Sequence, residues 1–219
     1  MKTANSYAKQ IFCLEGDWHP DLRQKDTIEN ALKFMETASG MKIKYIHRHC
    51  STPQELENRI NEYTKKRYAQ FSIFYLAFHG VPNGLKLSPK NILSLDELAE
   101  MADGKLQNKI LHLGSCETLN ISRPQIKKIL KKTGALCISG FKKEVPFVSS
   151  TIFDVLYFEM CQYYKQMNVI EKHMKNYYGK LMKELFEYLK KGEDLTLIKS
   201  CVFHYEMEFI HPFTDGNGR

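Results

Sequence analysis

A histidine and a cysteine each follow an apolar segment, and together they could perform nucleophilic catalysis. Residues 71–78 lead into His79, and residues 109–114 lead into Cys116. A cysteine attacks as its thiolate, and a nearby imidazole can assist its ionisation or protonate the leaving amine. Gly80 would let the backbone approach a bound peptide, and its amide is a candidate oxyanion donor. The sequence therefore predicts a catalytic pair if the two segments are neighbouring strands.

Each residue of this pair also has an ordinary structural interpretation. A single cysteine is most often a small buried apolar group, and a single histidine is usually a hydrogen-bonded polar one. Four further cysteines lie in apolar runs and are predicted to be core residues: Cys13, Cys137, Cys161 and Cys201. The case for catalysis in His79 and Cys116 therefore rests on their joint position at two strand ends.

The last nine residues carry a second set of reactive groups. They read His-Pro-Phe-Thr-Asp-Gly-Asn-Gly-Arg over residues 211–219. A base, a carboxylate that could bind a metal, two glycines, an amide and a cation together suit a nucleotide phosphate. A chance glycine-rich turn is the alternative interpretation of this segment.

A weaker metal signal lies earlier, where His47 and His49 would share one face of a strand. This cluster lacks a recognised second pair of ligands, so the spacing alone does not favour a metal site.

The elements that must position these groups change character along the chain. Over residues 1–166, five apolar strand segments alternate with helical ones: 10–15, 42–47, 71–78, 109–114 and 135–139. This alternation predicts an α/β domain with a doubly wound, mostly parallel sheet, whose sites lie beyond the carboxyl ends of the strands. Over residues 167–219 the apolar positions recur at helical spacing without strands, which predicts an all-helical segment.

Local signals predict where several helices begin and end. Thr52, Ser94 and Ser122 are each followed three residues later by glutamate or glutamine, which is the pattern of a capping box. Gly134 is placed to end a helix in a left-handed conformation before the fifth strand.

Residues 8–165 resemble the caspase-like fold of cysteine peptidases. The resemblance rests on an apolar strand that ends in His79-Gly80 and a later one that ends in Cys116. The segments 12–18, 75–80 and 112–116 look like a bacterial caspase-like family. This resemblance implies that His79 is the general acid and base and that Cys116 is the nucleophile. The residues around Cys116 differ from the Gln-Ala-Cys-x-Gly of true caspases, so aspartate specificity is not implied.

The resemblance also suggests a substrate preference. Caspases carry an arginine near the end of the first strand that holds the substrate aspartate, whereas this chain has Glu15 and Asp17 there. One hypothesis is that these carboxylates bind an arginine or lysine before the cut. The alternative is that they only cap the following turn.

The terminal nonapeptide matches the signature of the Fic family. That resemblance implies transfer of a nucleotide, usually AMP from ATP, to a protein hydroxyl with Mg²⁺ as the metal. His211 would be the general base and Asp215 the Mg²⁺ ligand. The nucleotide would be bound by the remaining signature residues: Phe213, Gly216, Asn217, Gly218 and Arg219.

The Fic resemblance is incomplete in this sequence. The second arginine of the signature and the helix that follows it would lie beyond Arg219, and residues 169–209 have room for only two of the family's helices before the motif. Because catalysis needs groups positioned to a fraction of an ångström, we expect negligible transferase activity from this chain alone.

Composition restricts the remaining possibilities. The 219 residues are 43% hydrophobic and 12% aromatic, which allows a substantial core. The net charge is +7, but the lysines are spread over helical segments, a pattern that does not favour nucleic-acid binding. The longest apolar block is far shorter than the roughly 20 residues of a membrane span. Six unclustered cysteines without a secretion signal predict reduced thiols in the cytoplasm.

The sequence is therefore compatible with three functions. The first is a caspase-like cysteine peptidase, without a cofactor and with a protein or peptide substrate, that carries a partial Fic segment. The second is a Fic-type adenylyltransferase, and the third is a non-catalytic caspase-like module for assembly. The oligomeric state is open.

Overall fold

The computed structural model describes residues 9–21, 23, 26–174 and 176. Its elements in chain order are β1 (Ile11–Glu15), α1 (Glu29–Ala38), β2 (Tyr45–His49), α2 (Pro53–Tyr63), β3 (Ile73–Ala77), β4 (His79–Val81), β5 (Gly84–Ser88), β6 (Asn91–Ser94), α3 (Leu95–Met101), β7 (Ile110–Leu113), α4 (Arg123–Thr133), β8 (Cys137–Gly140), α5 (Phe147–Tyr163) and α6 (Met167–His173).

A parallel five-stranded sheet lies at the centre, in the order β2-β1-β3-β7-β8. The predicted mixed α/β fold with a parallel sheet is confirmed for the described residues. Each of the five predicted segments contains or overlaps one of these strands. Leu76 of β3 is in register with Leu113 of β7, so the strands that precede His79 and Cys116 are direct neighbours. The condition for the predicted pair is therefore met.

Helices cover both faces of the sheet because successive side chains of the inner strands point to opposite sides. Phe74 and Leu76 of β3 pack with α2, α3 and α4 in one apolar cluster. Ile73 and Tyr75 face the other way and pack with α1, α5 and α6. This two-sided burial explains why β3 and β7 are almost continuously apolar in the sequence.

The predicted helix ends are largely confirmed. Ser94 and Ser122 each form a reciprocal capping box with the residue three positions later. Gly134 ends α4 with a φ of 75°, a left-handed conformation that favours glycine. Thr52 caps α2 by accepting from the Glu55 backbone, but the Glu55 carboxylate accepts from Ser51 instead of completing the box.

A small antiparallel sheet formed by β4, β5 and β6 was not predicted from the sequence. These strands are three to five residues long and connect β3 to α3. Pro82 and Asn83 form the turn between β4 and β5, and Asn83 has a φ of 60°. The consequence for the site is that His79 and Gly80 belong to β4 and leave the main sheet immediately after β3.

Helix α6 begins at Met167, the first residue of the predicted second segment. Its Ile170 is 1% exposed and packs in the same apolar cluster as α1 and α5. This helix therefore packs on the α/β core, and the boundary at residue 166 stays a prediction. Within the described residues, no helix has the length and apolar character needed to cross a membrane.

Candidate active site

His79, Gly80 and Cys116 line one cavity at the carboxyl edge of the parallel sheet. Its volume is about 460 Å³, and Trp18 and Phe147 are among the other lining residues. The carboxyl ends of parallel strands are where sites form in open α/β sheets. The structure thus brings together the three candidate residues that follow β3 and β7 in the sequence.

The segment before Cys116 is joined to the end of β3 by two hydrogen bonds. The Gly114 amide donates to the Leu76 carbonyl at 2.9 Å, and the Phe78 amide donates to the Ser115 hydroxyl at 3.3 Å. These bonds position Cys116 relative to His79, because His79 follows Phe78 directly.

The thiol of Cys116 contacts the loop that follows β8. It donates to the Val145 carbonyl oxygen at 3.2 Å, and the Val145 amide lies 3.4 Å from the same sulfur as a donor. Both contacts hold the sulfur against this loop. Cys116 is half-buried, so its sulfur can be reached from the cavity.

The other described cysteines are different. Cys13, Cys50 and Cys161 are fully buried, and Cys137 is half-buried. Burial is the main cause that raises the thiol pKa of Cys13 and Cys137, and it raises the pKa values of Cys50 and Cys161 to about 12. A neutral buried thiol is a poor nucleophile, so these cysteines are poor candidates for the catalytic one. Cys13, Cys137 and Cys161 pack in the core as predicted.

The imidazole of His79 is exposed and held by Trp18. Its Nε2–H donates to the Trp18 carbonyl oxygen at 2.5 Å, since a carbonyl oxygen can only accept. The Trp18 indole packs edge-on against the imidazole with ring centroids 5.2 Å apart. In the neutral ring this hydrogen bond fixes the proton on Nε2 and leaves the Nδ1 lone pair available as a base.

The lack of a side chain at Gly80 allows the backbone of Cys116 to lie against it, a role that was not predicted from the sequence. A Cβ atom on Gly80 would lie 1.7 Å from the Cys116 carbonyl oxygen and 2.7 Å from its amide nitrogen. The absence of a side chain therefore allows the backbone of Cys116 itself to approach, in addition to any substrate. The oxyanion role of the Gly80 amide stays a prediction.

Glu117, directly after Cys116, is a non-glycine residue with a φ of 57°. This left-handed conformation costs free energy in a non-glycine residue, and residues that adopt it occur often at functional sites. Its amide donates to the Lys143 carbonyl at 3.3 Å, which ties the turn after Cys116 to the loop after β8.

Glu15 lies away from the cavity, contrary to its predicted role in binding substrate. It is fully buried, and its carboxylate accepts from Thr27 at 2.7 Å, from the Ile28 amide at 2.7 Å, from His47 at 2.5 Å and from the Trp18 indole. Burial alone would raise the pKa of Glu15, but these hydrogen bonds outweigh it and lower the pKa. With all its acceptor positions used, Glu15 holds the loop before α1, which agrees with the alternative structural interpretation.

Asp17 is exposed and also lies outside the cavity lining. It accepts a hydrogen bond from the Ser51 hydroxyl at 3.3 Å, on the side of the sheet edge where α2 begins. The acidic residues that do line the cavity are Asp26, Glu117 and Glu144.

Trp18, Val145 and Phe147 also line the cavity, and no role was predicted for them from the sequence. Trp18 is the single tryptophan and follows β1, whereas Val145 and Phe147 follow β8. The rule that sites form beyond the carboxyl ends of strands could have selected both loops. Their contacts with His79 and Cys116 depend on the three-dimensional arrangement.

The residues of the Fic signature lie outside the described residues, so their predicted roles stay predictions. They are His211, Phe213, Asp215, Gly216, Asn217, Gly218 and Arg219.

The described residues define a mixed α/β protein with a candidate site at the carboxyl edge of its parallel sheet. The model of a protein family described as a family of unknown function, DUF6642, matches residues 8–189. This match covers most of the chain, and the protein belongs to that family. The match continues across residue 166, where the sequence pattern changes. No curated protein matches the chain.

Proposed function

We propose that this protein is a cysteine peptidase of the caspase-like type, with Cys116 as the nucleophile and His79 as the general acid and base. The observation that carries the proposal is that both side chains line one cavity at the ends of two adjacent parallel strands.

The surrounding architecture supports this proposal. In the resemblance stated above, histidine follows one strand of a parallel sheet and cysteine follows another. Here those strands are β3 and β7, which lie in the middle of the order β2-β1-β3-β7-β8. The cavity volume of about 460 Å³ is within the range of roughly 300–1,000 Å³ that is typical of sites for small ligands and side chains.

In the first half of the reaction, the Cys116 thiol transfers its proton to Nδ1 of His79. The sulfur then attacks the peptide carbonyl carbon, a C–S bond forms, and the negative charge collects on the carbonyl oxygen. When this intermediate collapses, the C–N bond breaks and the proton passes from Nδ1 to the leaving amine. The Trp18 carbonyl accepts from Nε2–H throughout and stabilises the transient imidazolium.

In the second half, water attacks the thioester. Nδ1 of His79 removes a proton from the water, and the C–S bond breaks to release the carboxylic acid. The proton returns to sulfur, which restores the starting state. The reaction uses no cofactor, and every proton movement involves His79.

The three acidic residues of the cavity support a preference for a basic side chain beside the cleaved bond. In this proposal Asp26, Glu117 and Glu144 replace Glu15 and Asp17 as the groups that attract arginine or lysine. Asp26 is already paired with His19 at 2.7 Å, so Glu117 and Glu144 are the carboxylates most available to a substrate.

Fluorogenic peptides that differ only in arginine, lysine or aspartate before the bond test both statements. We expect cleavage of the basic peptides by the wild-type protein and none by Cys116→Ala, with Cys137→Ala as a control that removes a thiol outside the cavity. Glu144→Gln should reduce the preference for arginine. Cleavage that survives in Cys116→Ala, or no cleavage of any peptide, would contradict the peptidase. Equal cleavage of all three peptides would contradict only the basic preference.

A further inference from the structure

A second cluster of ionisable side chains lies where β2 ends at the edge of the sheet. Glu15, His47 and His49 each offer one potential ligand atom, and these three atoms lie within 4.8 Å of one another. His47 and His49 are two residues apart on one strand face, and their ring centroids are 5.2 Å apart. The peptidase proposal does not use this cluster.

The hydrogen bond between Glu15 and His47 has the form that orients metal-binding histidines. His47 Nε2–H donates to the Glu15 carboxylate at 2.5 Å, and both side chains are almost fully buried. Such a carboxylate fixes the tautomer and the orientation of the ring. Nδ1 of His47 is therefore the nitrogen with a free lone pair.

A carboxylate lies close to that lone pair, and a second imidazole lies beside the same ring. The carboxylate of Glu29, in the first turn of α1, lies 3.7 Å from His47 Nδ1 and is about half exposed. His49 is exposed and its side chain can move towards the same point. With bonds of about 2.0–2.2 Å to nitrogen and oxygen, His47 Nδ1 and the Glu29 carboxylate, 3.7 Å apart, can bind one ion. The His49 ring, whose centroid lies 5.2 Å from that of His47, would join them by a rotation of its side chain.

We infer that His47, His49 and Glu29 form a binding site for a divalent transition metal of the zinc class, with Glu15 as the outer-shell carboxylate. Two imidazoles and one carboxylate are a ligand set that Zn²⁺ accepts, with water at the fourth position. Glu15 itself stays an outer-shell group because four donors already occupy its oxygens.

Cys50, the residue after His49, does not belong to this set. It is fully buried, its thiol donates to the Thr52 carbonyl oxygen at 3.7 Å, and burial raises its pKa to about 12. A metal at this cluster is therefore held by nitrogen and oxygen alone. Because β2 and α1 both contribute ligands, the ion would join an edge strand to the helix that covers it.

Competition of the full-length protein with a chromophoric chelator for Zn²⁺ tests the inference. We expect one bound equivalent in the wild-type protein and in the control His173→Ala, because His173 is the last residue of α6 and stacks on Tyr164, away from this cluster. Loss of a group that only orients a ligand weakens metal binding by about 10–100-fold. Because His49 is a direct ligand, His49→Ala should weaken Zn²⁺ binding by more than this. Wild-type affinity in His49→Ala, or no binding by the wild-type protein, would overturn the site.

Two further measurements separate this site from the thiols and from misfolding. The Co²⁺-loaded protein should show the absorption of a nitrogen and oxygen site without thiolate-to-metal bands, and Cys116→Ser should leave it unchanged. Thiolate bands would overturn the inference. Glu29→Gln changes an exposed side chain, so it should weaken Zn²⁺ binding while the metal-free melting temperature stays at the wild-type value. Unchanged affinity in Glu29→Gln would exclude this set of ligands.

Discussion

Because Gly80 and Cys116 are in close contact, we expect Gly80→Ala to lower both the stability of the protein and the reactivity of Cys116. The added Cβ would lie 1.7 Å from the Cys116 carbonyl oxygen and 2.6 Å from its carbonyl carbon. Carbon and oxygen atoms that are not bonded normally stop at about 3.5 Å, so one of the two backbones must move by more than about one ångström. Gly80 is outside the left-handed region of φ, so the cost arises from this overlap alone.

We expect two consequences of this displacement. Overpacking at this half-buried backbone contact should lower the free energy of unfolding by about 1–3 kcal/mol. A shift of about 1 Å in a catalytic group can cost about 100-fold in rate, so peptide cleavage should fall by that order. Urea unfolding measures the first effect, and alkylation of Cys116 by a peptide electrophile measures the second.

Gly104→Ala is the matched control. A Cβ at Gly104 meets nothing within 4 Å, but its φ of 66° makes the substitution strained by about 1 kcal/mol. Both variants should therefore lose stability, whereas only Gly80→Ala should lose Cys116 reactivity. Wild-type stability together with wild-type alkylation of Cys116 in Gly80→Ala would refute the reasoning.

Three further substitutions test other parts of the structure by urea unfolding. In buffer with a chelator, Glu15→Gln should cost about 2–3 kcal/mol because charge-assisted hydrogen bonds to buried donors are lost, and a cost near zero would contradict the role given to Glu15. Asp154→Ala should lower the free energy of unfolding by about 3 kcal/mol because it removes the acceptor of His112 and Tyr75. The control Asp96→Ala breaks only an exposed pair with Lys128 and should lower it by at most about 1 kcal/mol. Ser122→Ala should cost about 1 kcal/mol through loss of the cap of α4, and an unchanged midpoint would argue against that cap.

The sequence could predict the parallel sheet because its signals are local. Inner strands covered on both faces are continuously apolar, and Ser94, Ser122 and Gly134 mark helix ends through contacts within a few residues. The small sheet of β4, β5 and β6 was missed because strands of three to five residues give little periodicity. The neighbouring placement of His79 and Cys116 followed from the rule for parallel sheets, once β3 and β7 were adjacent.

Glu15, for which two roles were open from the sequence, shows what local patterns lack. Its position at the end of β1 was compatible with binding substrate or with capping the following turn, and the four donors that surround it come from the loop before α1 and from β2. The contacts of Trp18 with His79, and of Val145 with Cys116, likewise join loops far apart in the sequence. No residue type or spacing encodes such contacts by itself.

Mapping the modified cysteine by mass spectrometry, after reaction with a peptide that carries a thiol-reactive group, is the most direct test of the proposed peptidase. We expect modification at Cys116, loss of modification in Cys116→Ala, and a slower reaction in His79→Ala, because Nδ1 of His79 assists the thiol. Modification at Cys13, Cys50, Cys137 or Cys161 in its place, or an equal rate in His79→Ala, would contradict the proposal.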